Sequence, residues 1–392
     1  MKKIIAFVLT MFMLILLVAC NNSPTPGDNN GNKDNVNNDS ITTPSDSSND
    51  TETTEQTTPT DSSDGGSSTI LESDPSDFEY ISLENSADGT VSYAITGYKG
   101  NATNIAIPNT YNGEPVTEIM LFDLHAFENC KEIFIPQNIS QINALFYKSN
   151  LEKLTVSEDN SVFYSRDNCV VHKETKKLVL GCSHSTIPND TDVTTIGAYA
   201  FAYCSGPKDL TLPDNIEYVE EYAFFNCIEI KNLSIGKKAR LAPFVFNGCA
   251  SIETIAVSAE NPYYTSEANC LLDKIDKTLK LGCKNSIIPV NNGVTQIGSS
   301  AFSGAGIVEF VIPQGITTLS SQAFEDCVAL VSITIPSTVE SISTNAFRRC
   351  ENLVHINYQG TKKQWESLSK GRDWDYKTGE YTVHCIDGDI TK

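Results

Sequence analysis

A pattern of about 22 residues recurs through this chain and limits what the chain can fold into. In residues 316–336, ITTLSSQAFEDCVALVSITIP, the pair Ala323-Phe324 is followed by Cys327 and then by an L-x-x-I-x-I-P run. The end of that run alternates apolar and polar residues, as in a strand with one buried face, and proline ends such a strand. A unit this short cannot bury its apolar face alone. The units are therefore expected to stack into a solenoid.

The repeated phenylalanine marks eight units, most of them 22 or 23 residues apart, with one spacing of 19 and two of 55 and 56. The two long spacings hold the same additional element, because Cys169 and Cys182 recur 101 residues later as Cys270 and Cys283. This indicates an internal duplication. The eight positions are Phe127, Phe146, Phe201, Phe224, Phe246, Phe302, Phe324 and Phe347.

The units resemble those of the BspA-like leucine-rich-repeat family of bacterial surface proteins, which combine L-x-x-I-x-I-P with I-x-x-x-A-F-x-x-C, over roughly residues 77–392. The resemblance implies a strand-dominated α/β leucine-rich-repeat solenoid. Its features would be a curved parallel sheet with one short strand per 22–23-residue repeat, two inserted β-hairpins and a cap at each end. Two units depart from the pattern: Gly306 and Ile307 replace the cysteine region after Phe302, and Asn150 replaces the cysteine after Phe146.

Residues 1–19 have the character of a targeting segment, with Lys2 and Lys3 followed by an apolar run of 16 residues. A membrane-spanning helix needs about 20 residues and a secretory segment about 7 to 15, so an uncleaved anchor helix is an alternative. The sequence Leu17-Val18-Ala19-Cys20 resembles the site at which bacterial lipoproteins are cleaved and lipidated. It predicts a lipoprotein signal peptide over residues 1–19 and a diacylglycerol-bearing Cys20.

The composition changes abruptly after Cys20. Of the 49 residues from 21 to 69, 28 are Asn, Ser or Thr and nine are acidic. Such a segment buries too little apolar surface to offset its chain entropy, so residues 20–76 are predicted to form a disordered tether. The rest of the chain is divided into an N-terminal cap over 77–118, repeats over 119–358 and a C-terminal cap over 359–392. In the C-terminal cap, Thr361 and Gln364 form a capping-box pattern that predicts the start of a short helix.

The twelve cysteines fall into two main groups. Six of them share one repeat position, where they are expected to act as small buried apolar residues. The inserted element is different: a turn centred between Thr175 and Lys176 would place Cys169 opposite Cys182, and the copy would place Cys270 opposite Cys283. Opposed strand positions are close enough for a disulfide, and two pairs of packed thiols are the alternative.

No residue pattern for catalysis, a cofactor or a metal site is present: a phosphate-binding loop, a nucleophile elbow and clustered Cys and His ligands are all missing from the sequence. The net charge is −21, and removing the leader and the tether leaves about −15 on residues 70–392. An acidic surface repels phosphate backbones, so nucleic acid is not an expected partner.

Alternation within each L-x-x-I-x-I strand predicts which side chains point outward, on the face expected to be concave. These side chains are mostly small, polar or β-branched, and they lack the aromatic stripe of a sugar-binding site. A docking surface for proteins is the favoured interpretation and a merely solvated sheet is the alternative. The candidate binding residues are Phe134, Thr155, Thr211, Ser234, Thr254, Val311, Thr334 and Asn357.

The function that the resemblance and these features favour is that of a non-enzymatic, adhesin-like lipoprotein. It would be anchored by lipid to the cell membrane, exposed at the bacterial surface, and would bind an extracellular or host protein through the repeat face. A structural protein of the cell envelope and a glycan-capturing lipoprotein are the alternatives.

The anchoring prediction can be tested by replacing Cys20. We expect Cys20→Ser to leave the precursor uncleaved, or to release protein from the membrane fraction, because several acyl chains hold a protein far more firmly than one. Immunoblots of fractionated cells report both results. Unchanged processing and fractionation would rule out lipidation.

Overall fold

The computed structural model describes residues 73–120, 127–143, 151–290 and 292–392. The predicted signal peptide, Cys20, most of the tether, Phe146 and Asn150 lie outside the described residues. Ser73, which precedes the expected cap boundary at residue 77, contacts the cap: its backbone N–H donates to the carbonyl oxygen of Ala106 at 3.2 Å. Within the described part, no helix has both the length and the apolar character needed to cross a membrane.

Each repeat unit is one coil that contains two strands rather than the single strand expected from the sequence. In the unit of residues 316–336, which holds Phe324, Thr318–Leu319 form a strand of only two residues and Ser332–Ile335 form the long strand. After the long strand, the N–H of Val339 donates to the carbonyl of Pro336 at 3.2 Å and closes a tight turn that leads to the short strand of the next unit. Stacked coils therefore build two parallel sheets, one of long strands and one of short strands.

The two inserted elements divide these sheets into three blocks: block 1 (residues 73–162), block 2 (residues 163–263) and block 3 (residues 264–392). Each block has its own pair of sheets and its own cluster of buried apolar side chains. The single curved sheet expected from the sequence is thus interrupted twice.

Block 1 opens with an antiparallel hairpin that covers the first coil. Its strands are β1 (Phe78–Glu84), β2 (Val91–Tyr98), β3 (Asn104–Ala106), β4 (Thr110–Tyr111), β5 (Glu114–Met120), β6 (Glu132–Ile135), β7 (Gln141–Asn143) and β8 (Lys153–Val156), after a 3₁₀ turn at Pro75–Asp77. One sheet has the order β1-β2-β5-β7, with β4 also on β5, and the other has the order β3-β6-β8. The β1–β2 hairpin gives the first coil a backbone partner, which the exposed end of a solenoid requires.

Block 2 begins with the first insert. Its strands are β9 (Phe163–Arg166), β10 (Cys169–His172), β11 (Lys177–Leu180), β12 (Thr195–Ile196), β13 (Asp209–Leu212), β14 (Tyr218–Val219), β15 (Asn232–Ile235), β16 (Arg240–Leu241) and β17 (Thr254–Val257). The insert β9-β10-β11 is antiparallel and continues into the parallel short strands β12-β14-β16. The long strands form the separate sheet β13-β15-β17.

Block 3 repeats this plan and adds one further coil and a closing strand. Its elements are β18 (Tyr264–Glu267), β19 (Cys270–Asp273), β20 (Thr278–Leu281), β21 (Gln296–Ile297), β22 (Glu309–Val311), β23 (Thr318–Leu319), β24 (Ser332–Ile335), β25 (Ser341–Ile342), β26 (His355–Tyr358), α1 (Lys362–Ser367), β27 (Ser369–Lys370), β28 (Thr382–Cys385) and β29 (Gly388–Thr391). The short-strand sheet runs β18-β19-β20-β21-β23-β25-β27, and the long-strand sheet runs β22-β24-β26-β28-β29.

The inserts are coils of the solenoid and are buried on both faces. In the first insert, Val170 and Leu180 pack into the core of block 1, whereas Val171 and Leu178 pack into the core of block 2. The second insert divides its side chains between blocks 2 and 3 in the same way. Gly181 is required at this point, because a Cβ there would lie 2.0 Å from the ring of Phe201.

The Ala-Phe corner holds neighbouring coils together. The rings of Phe302, Phe324 and Phe347 stack nearly parallel, with centroids 5.1 and 5.3 Å apart. The backbone N–H of Phe324 donates to the carbonyl of Ala346 in the next coil at 2.8 Å. Two residues in the left-handed backbone conformation flank the corner: φ is 62° at Gln322 and 58° at Asp326. These turns bring the Ala-Phe backbone close to the adjacent coil.

The C-terminal cap contains a further coil that the repeat pattern does not reveal. Helix α1 begins with the expected capping box of Thr361 and Gln364, and it buries Trp365. The chain then follows the repeat path, because the N–H of Phe347 donates to the carbonyl of Trp374, in the place that alanine takes in other coils. Strands β28 and β29 close the long-strand sheet, β29 running antiparallel to β28 as the final strand.

The repeat pattern predicts that Glu325, beside Phe324, contributes little to stability, and the structure contradicts this. Glu325 is only 5% exposed, and its carboxylate accepts hydrogen bonds from Arg348 at 2.9 Å and from Gln322. Burial, with Asp326 nearby, raises its pKa despite the opposing effect of Arg348. Removing one partner of a buried ion pair is costly, so Glu325 cannot serve as a neutral control.

We predict that Phe324→Ala lowers the free energy of unfolding by about 3 to 5 kcal/mol, because the ring is fully buried between two other rings. Val328→Ala is the matched control: Val328 lies in the same coil and is 52% exposed, so its loss should change stability by less than about 0.5 kcal/mol. Thermal and denaturant unfolding measure both. Equal effects would show that the repeat frame is misplaced.

Candidate binding surface

All eight candidate binding residues lie on the outward side of long strands, and none of them is buried. Strand pairing arranges them in rows across the sheets. Most belong to rows formed by the third residue of each strand, whereas Thr254 belongs to the row of first residues. The rows are Phe134 beside Thr155 in block 1, Thr211 beside Ser234 in block 2, and Val311, Thr334 and Asn357 in block 3.

Hydrogen bonds between neighbouring strands fix several outward side chains. In block 2, Asn232 donates to the carboxylate of Asp209 at 2.6 Å and accepts from the hydroxyl of Thr254 at 2.6 Å. In block 3, the amide of Asn357 donates to the hydroxyl of Ser332 at 3.0 Å. Cross-strand pairs of this kind hold side chains in one arrangement, so the face is rigid and largely polar.

Two histidines meet at the end of this face in block 3. Nδ1 of His355 lies 3.0 Å from Nε2 of His384, whose Nδ1 lies 3.0 Å from a carboxylate oxygen of Asp389. No sequence pattern predicts this contact, because 29 residues separate the two histidines. Nowhere in the described ranges do three or more His, Cys, Asp or Glu side chains form a group able to hold a metal ion.

The insert cysteines do not face each other as the sequence suggested. The pairing of His172 with Lys177 centres the turn one residue earlier than expected, and a β-bulge then pairs Val170 with Leu180, so the two cysteines are not cross-strand partners. Cys169 packs in the core of block 2 and Cys182 in the core of block 1. The second insert has the same register shift, and every cysteine in the described ranges is a free thiol. A disulfide within each insert stays a prediction.

The cysteines of the repeat position make a contact of their own. In four coils the thiol donates to the carbonyl oxygen of the phenylalanine in the preceding coil, at 3.0 to 3.1 Å. Burial raises the pKa of Cys227 and Cys327 well above that of a free thiol, so both remain protonated donors. The four donors are Cys227, Cys249, Cys327 and Cys350.

A cleft of about 640 Å³ lies where the short strands of blocks 2 and 3 fail to meet, beside β16 and β20. Its charged groups are already paired: Lys280 lies 2.8 Å from Asp276 and 3.6 Å from Asp273. Burial alone would lower the pKa of Lys280, but the hydrogen bond to Asp276 and both negative charges raise it overall. The hydroxyl of Tyr264 accepts from the N–H of Leu241 and closes the edge of β16. These pairings leave no uncommitted base or nucleophile among the charged groups of the cleft.

A family model described as "BspA type Leucine rich repeat region" matches residues 92–180, 176–281 and 273–369, in six copies. The chain belongs to this family. The match begins in the N-terminal cap and continues through both inserts, which agrees with the inserts being coils of the BspA-type solenoid. A search of curated protein sequences finds no match.

Solved structures of other leucine-rich-repeat proteins are similar to this BspA-type chain. A leucine rich cell surface protein from Faecalibacterium prausnitzii A2-165 is 24% identical, with 76% of this chain and 98% of that chain covered and a TM-score of 0.41. The pneumococcal vaccine antigen PcpA is 15% identical, with coverages of 81% and 87% and a TM-score of 0.41. A leucine-rich repeat protein from Bacteroides ovatus ATCC 8483 is 18% identical, with coverages of 78% and 98% and a TM-score of 0.33.

The state of the insert cysteines can be read by alkylation without reductant. We expect Cys169, Cys182, Cys270 and Cys283 to resist iodoacetamide in the native protein at pH 8, because burial raises the pKa of each thiol. After denaturation, peptide mapping should show all four alkylated, since the two cysteines of each insert are free thiols and are not cross-strand partners. Peptides joined through Cys169 and Cys182, and through Cys270 and Cys283, would establish the two insert disulfides. A bridge between repeat cysteines, such as Cys204 to Cys227, would contradict the packing.

Proposed function

We propose that this protein is a non-enzymatic, cell-surface lipoprotein that binds other proteins through the outward face of its long strands. The observation that carries the proposal is the rigid polar face itself, where side chains in register are fixed by bonds such as Asn232 to Asp209 and Asn357 to Ser332. A face organised in this way presents a broad, preformed surface, which lowers the entropy cost of binding a protein.

Display at the surface is proposed from the leader and the tether. The lipobox-like Leu17-Val18-Ala19-Cys20 would supply a membrane anchor, and the 49 residues from 21 to 69 would span roughly 35 to 42 Å as a flexible coil. That length would carry the solenoid away from the membrane. Membership of a family with cell-surface members supports this location.

The residues that line the face favour protein over sugar. Sugar-binding sites present exposed aromatic rings, and Phe134 is the one aromatic among the eight candidate residues. Both tryptophans belong to the C-terminal cap instead: Trp365 is buried and Trp374 packs against the core of block 3. The acidic net charge, about −15 on residues 70–392, favours partners with basic surfaces.

Substitutions on the face test the proposal. We expect Ser234→Arg and Thr334→Arg each to lower the amount of protein that the full chain retains from an extracellular protein mixture at least ten-fold. The reason is that a bulky side chain on the face blocks close approach of a partner. Mass spectrometry of the retained fraction measures the loss. Ile275→Arg is the control, since Ile275 is 80% exposed at the turn of the second insert, away from the long strands. Unchanged retention with melting temperatures equal to that of the parent protein would remove the binding site from this face.

A further inference from the structure

The first insert leaves one place in the long-strand sheet without a strand. In the insert coil, residues 182–188 take the position of a long strand and end in the usual Ile-Pro, yet they form no strand. The N–H of Ser183 donates to the carbonyl of Leu151 in the preceding coil at 3.1 Å, as at the start of a long strand. The N–H of Thr186 instead donates to the carbonyl of Asp167, so the strand does not continue. Strand β13 therefore pairs with β15 alone.

The open edge of β13 presents unpaired backbone groups. In parallel pairing, alternate residues direct their N–H and C=O groups to opposite sides of the strand. The carbonyl of Lys208 accepts from Asn232 in β15 at 3.0 Å, which places Lys208 and Leu210 on the paired side. Asp209 and Thr211 direct their backbone groups to the other side. No partner for these groups is present in the described part of the chain.

The opposite edges of the long-strand sheets in blocks 1 and 2 are closed, in contrast. The last strand of block 1, β8, has its outer N–H groups capped by side chains of the insert: Leu154 donates to Asn168 at 2.9 Å and Val156 donates to Ser165 at 3.2 Å. The last strand of block 2, β17, is capped in the same way by the second insert. Proteins usually block strand edges, because an open edge recruits other chains. Strand β22 of block 3 has the same open edge, because it pairs with β24 alone, so the first long strand after each insert lacks a partner on one side.

A groove of about 370 Å³ runs beside this edge. One wall is the irregular segment that includes Thr186 and Asn189, the other is β13, and the floor is formed by Phe201, Cys204 and Leu210. Cys204 is half-buried, whereas the repeat cysteines of the next two coils are buried, so the groove reaches towards the core. A partly apolar groove of this size lies within the range of ligand sites, about 300–1,000 Å³.

The internal duplicate shows how the same place is filled. In block 3 the counterpart of Leu210 is Phe310, whose ring contacts the rings of Phe302 and Phe324 at centroid distances of 4.7 and 5.7 Å. The coil is one residue shorter there, because Phe310 follows its Ala-Phe corner by eight residues and Leu210 follows its corner by nine. The chain thus contains a natural filled version of the groove.

We propose that the groove beside β13 binds an extended segment of a partner protein, which adds to the sheet as a strand and inserts one or two aliphatic side chains over Phe201 and Leu210. Only an extended backbone satisfies the alternating donors and acceptors of an open strand edge, and the apolar floor selects the side chains that face it. The carboxylate of Asp209 at the edge and the acidic net charge favour a segment flanked by lysine or arginine. This inference rests on the proposed function of protein binding and gives the partner a chemical form.

The test uses random seven-residue peptides displayed on phage and selected on the full chain in mild detergent. We expect the recovered peptides to alternate aliphatic and polar residues, with basic ends. They should bind at least ten-fold more weakly to Leu210→Phe, which copies the filled groove of block 3, and to Thr211→Pro, which removes an edge N–H. Hydrogen exchange should slow at the N–H groups of Asp209 and Thr211 when a peptide binds.

Matched variants separate this site from other outcomes. Val311→Pro makes the same change on β22 of block 3 and should leave peptide binding unchanged. Thr334→Arg, on the outward face of block 3, should also leave peptide binding unchanged, so a defect of the outward face and a defect of the groove give different results. The proposal is overturned if no peptides are enriched, or if the enriched peptides bind Leu210→Phe as tightly as the parent protein. A parent dimer that Thr211→Pro converts to a monomer would instead identify a second copy of this chain as the occupant.

Discussion

Contact between successive Ala-Phe corners determines how the coils of this protein stack. Each phenylalanine ring lies 5.1 to 5.4 Å from the next within a block, which is close to the spacing of hydrogen-bonded strands. Because ring stacking and strand pairing require nearly the same separation, one spacing between coils allows both the hydrogen bonds of the two sheets and the ring contacts at the corner. Two hydrogen bonds between coils reinforce that spacing: the N–H of Phe324 donates to the carbonyl of Ala346, and the thiol of Cys350 donates to the carbonyl of Phe324.

The repeat cysteine illustrates why a column of buried thiols need not form disulfides. Four thiols in this column have a hydrogen-bond acceptor in the preceding coil, as Cys327 has in the carbonyl of Phe302. That carbonyl also accepts from the N–H of Ala305 at 2.9 Å, so alanine in place of the cysteine would remove one of its two donors, and a hydrogen bond contributes about 0.5–1.5 kcal/mol to stability. The cysteine therefore serves as a small buried donor.

The long strands and the Ala-Phe corners could be predicted from the sequence, because their apolar residues repeat at a fixed spacing. The short strands could not, since two residues such as Thr195–Ile196 show no periodicity. The burial of Glu325 was also hidden, because its partner Arg348 lies 23 residues away in the next coil. The eight outward residues were placed correctly by alternation, whereas the groove beside β13 depends on an irregular segment that no pattern describes.

The two inserts, buried on both faces, have a consequence for the way the molecule comes apart. A solenoid with one continuous core frays from its end, since each lost coil exposes the apolar side of the coil before it. Here β19 closes the core of block 2 with its own side chains, including Leu271, while Leu272 serves block 3. Each insert therefore limits fraying. Unfolding that starts at the C-terminal end stops at the insert coil, because the side chains on its far face already complete the core of the neighbouring block.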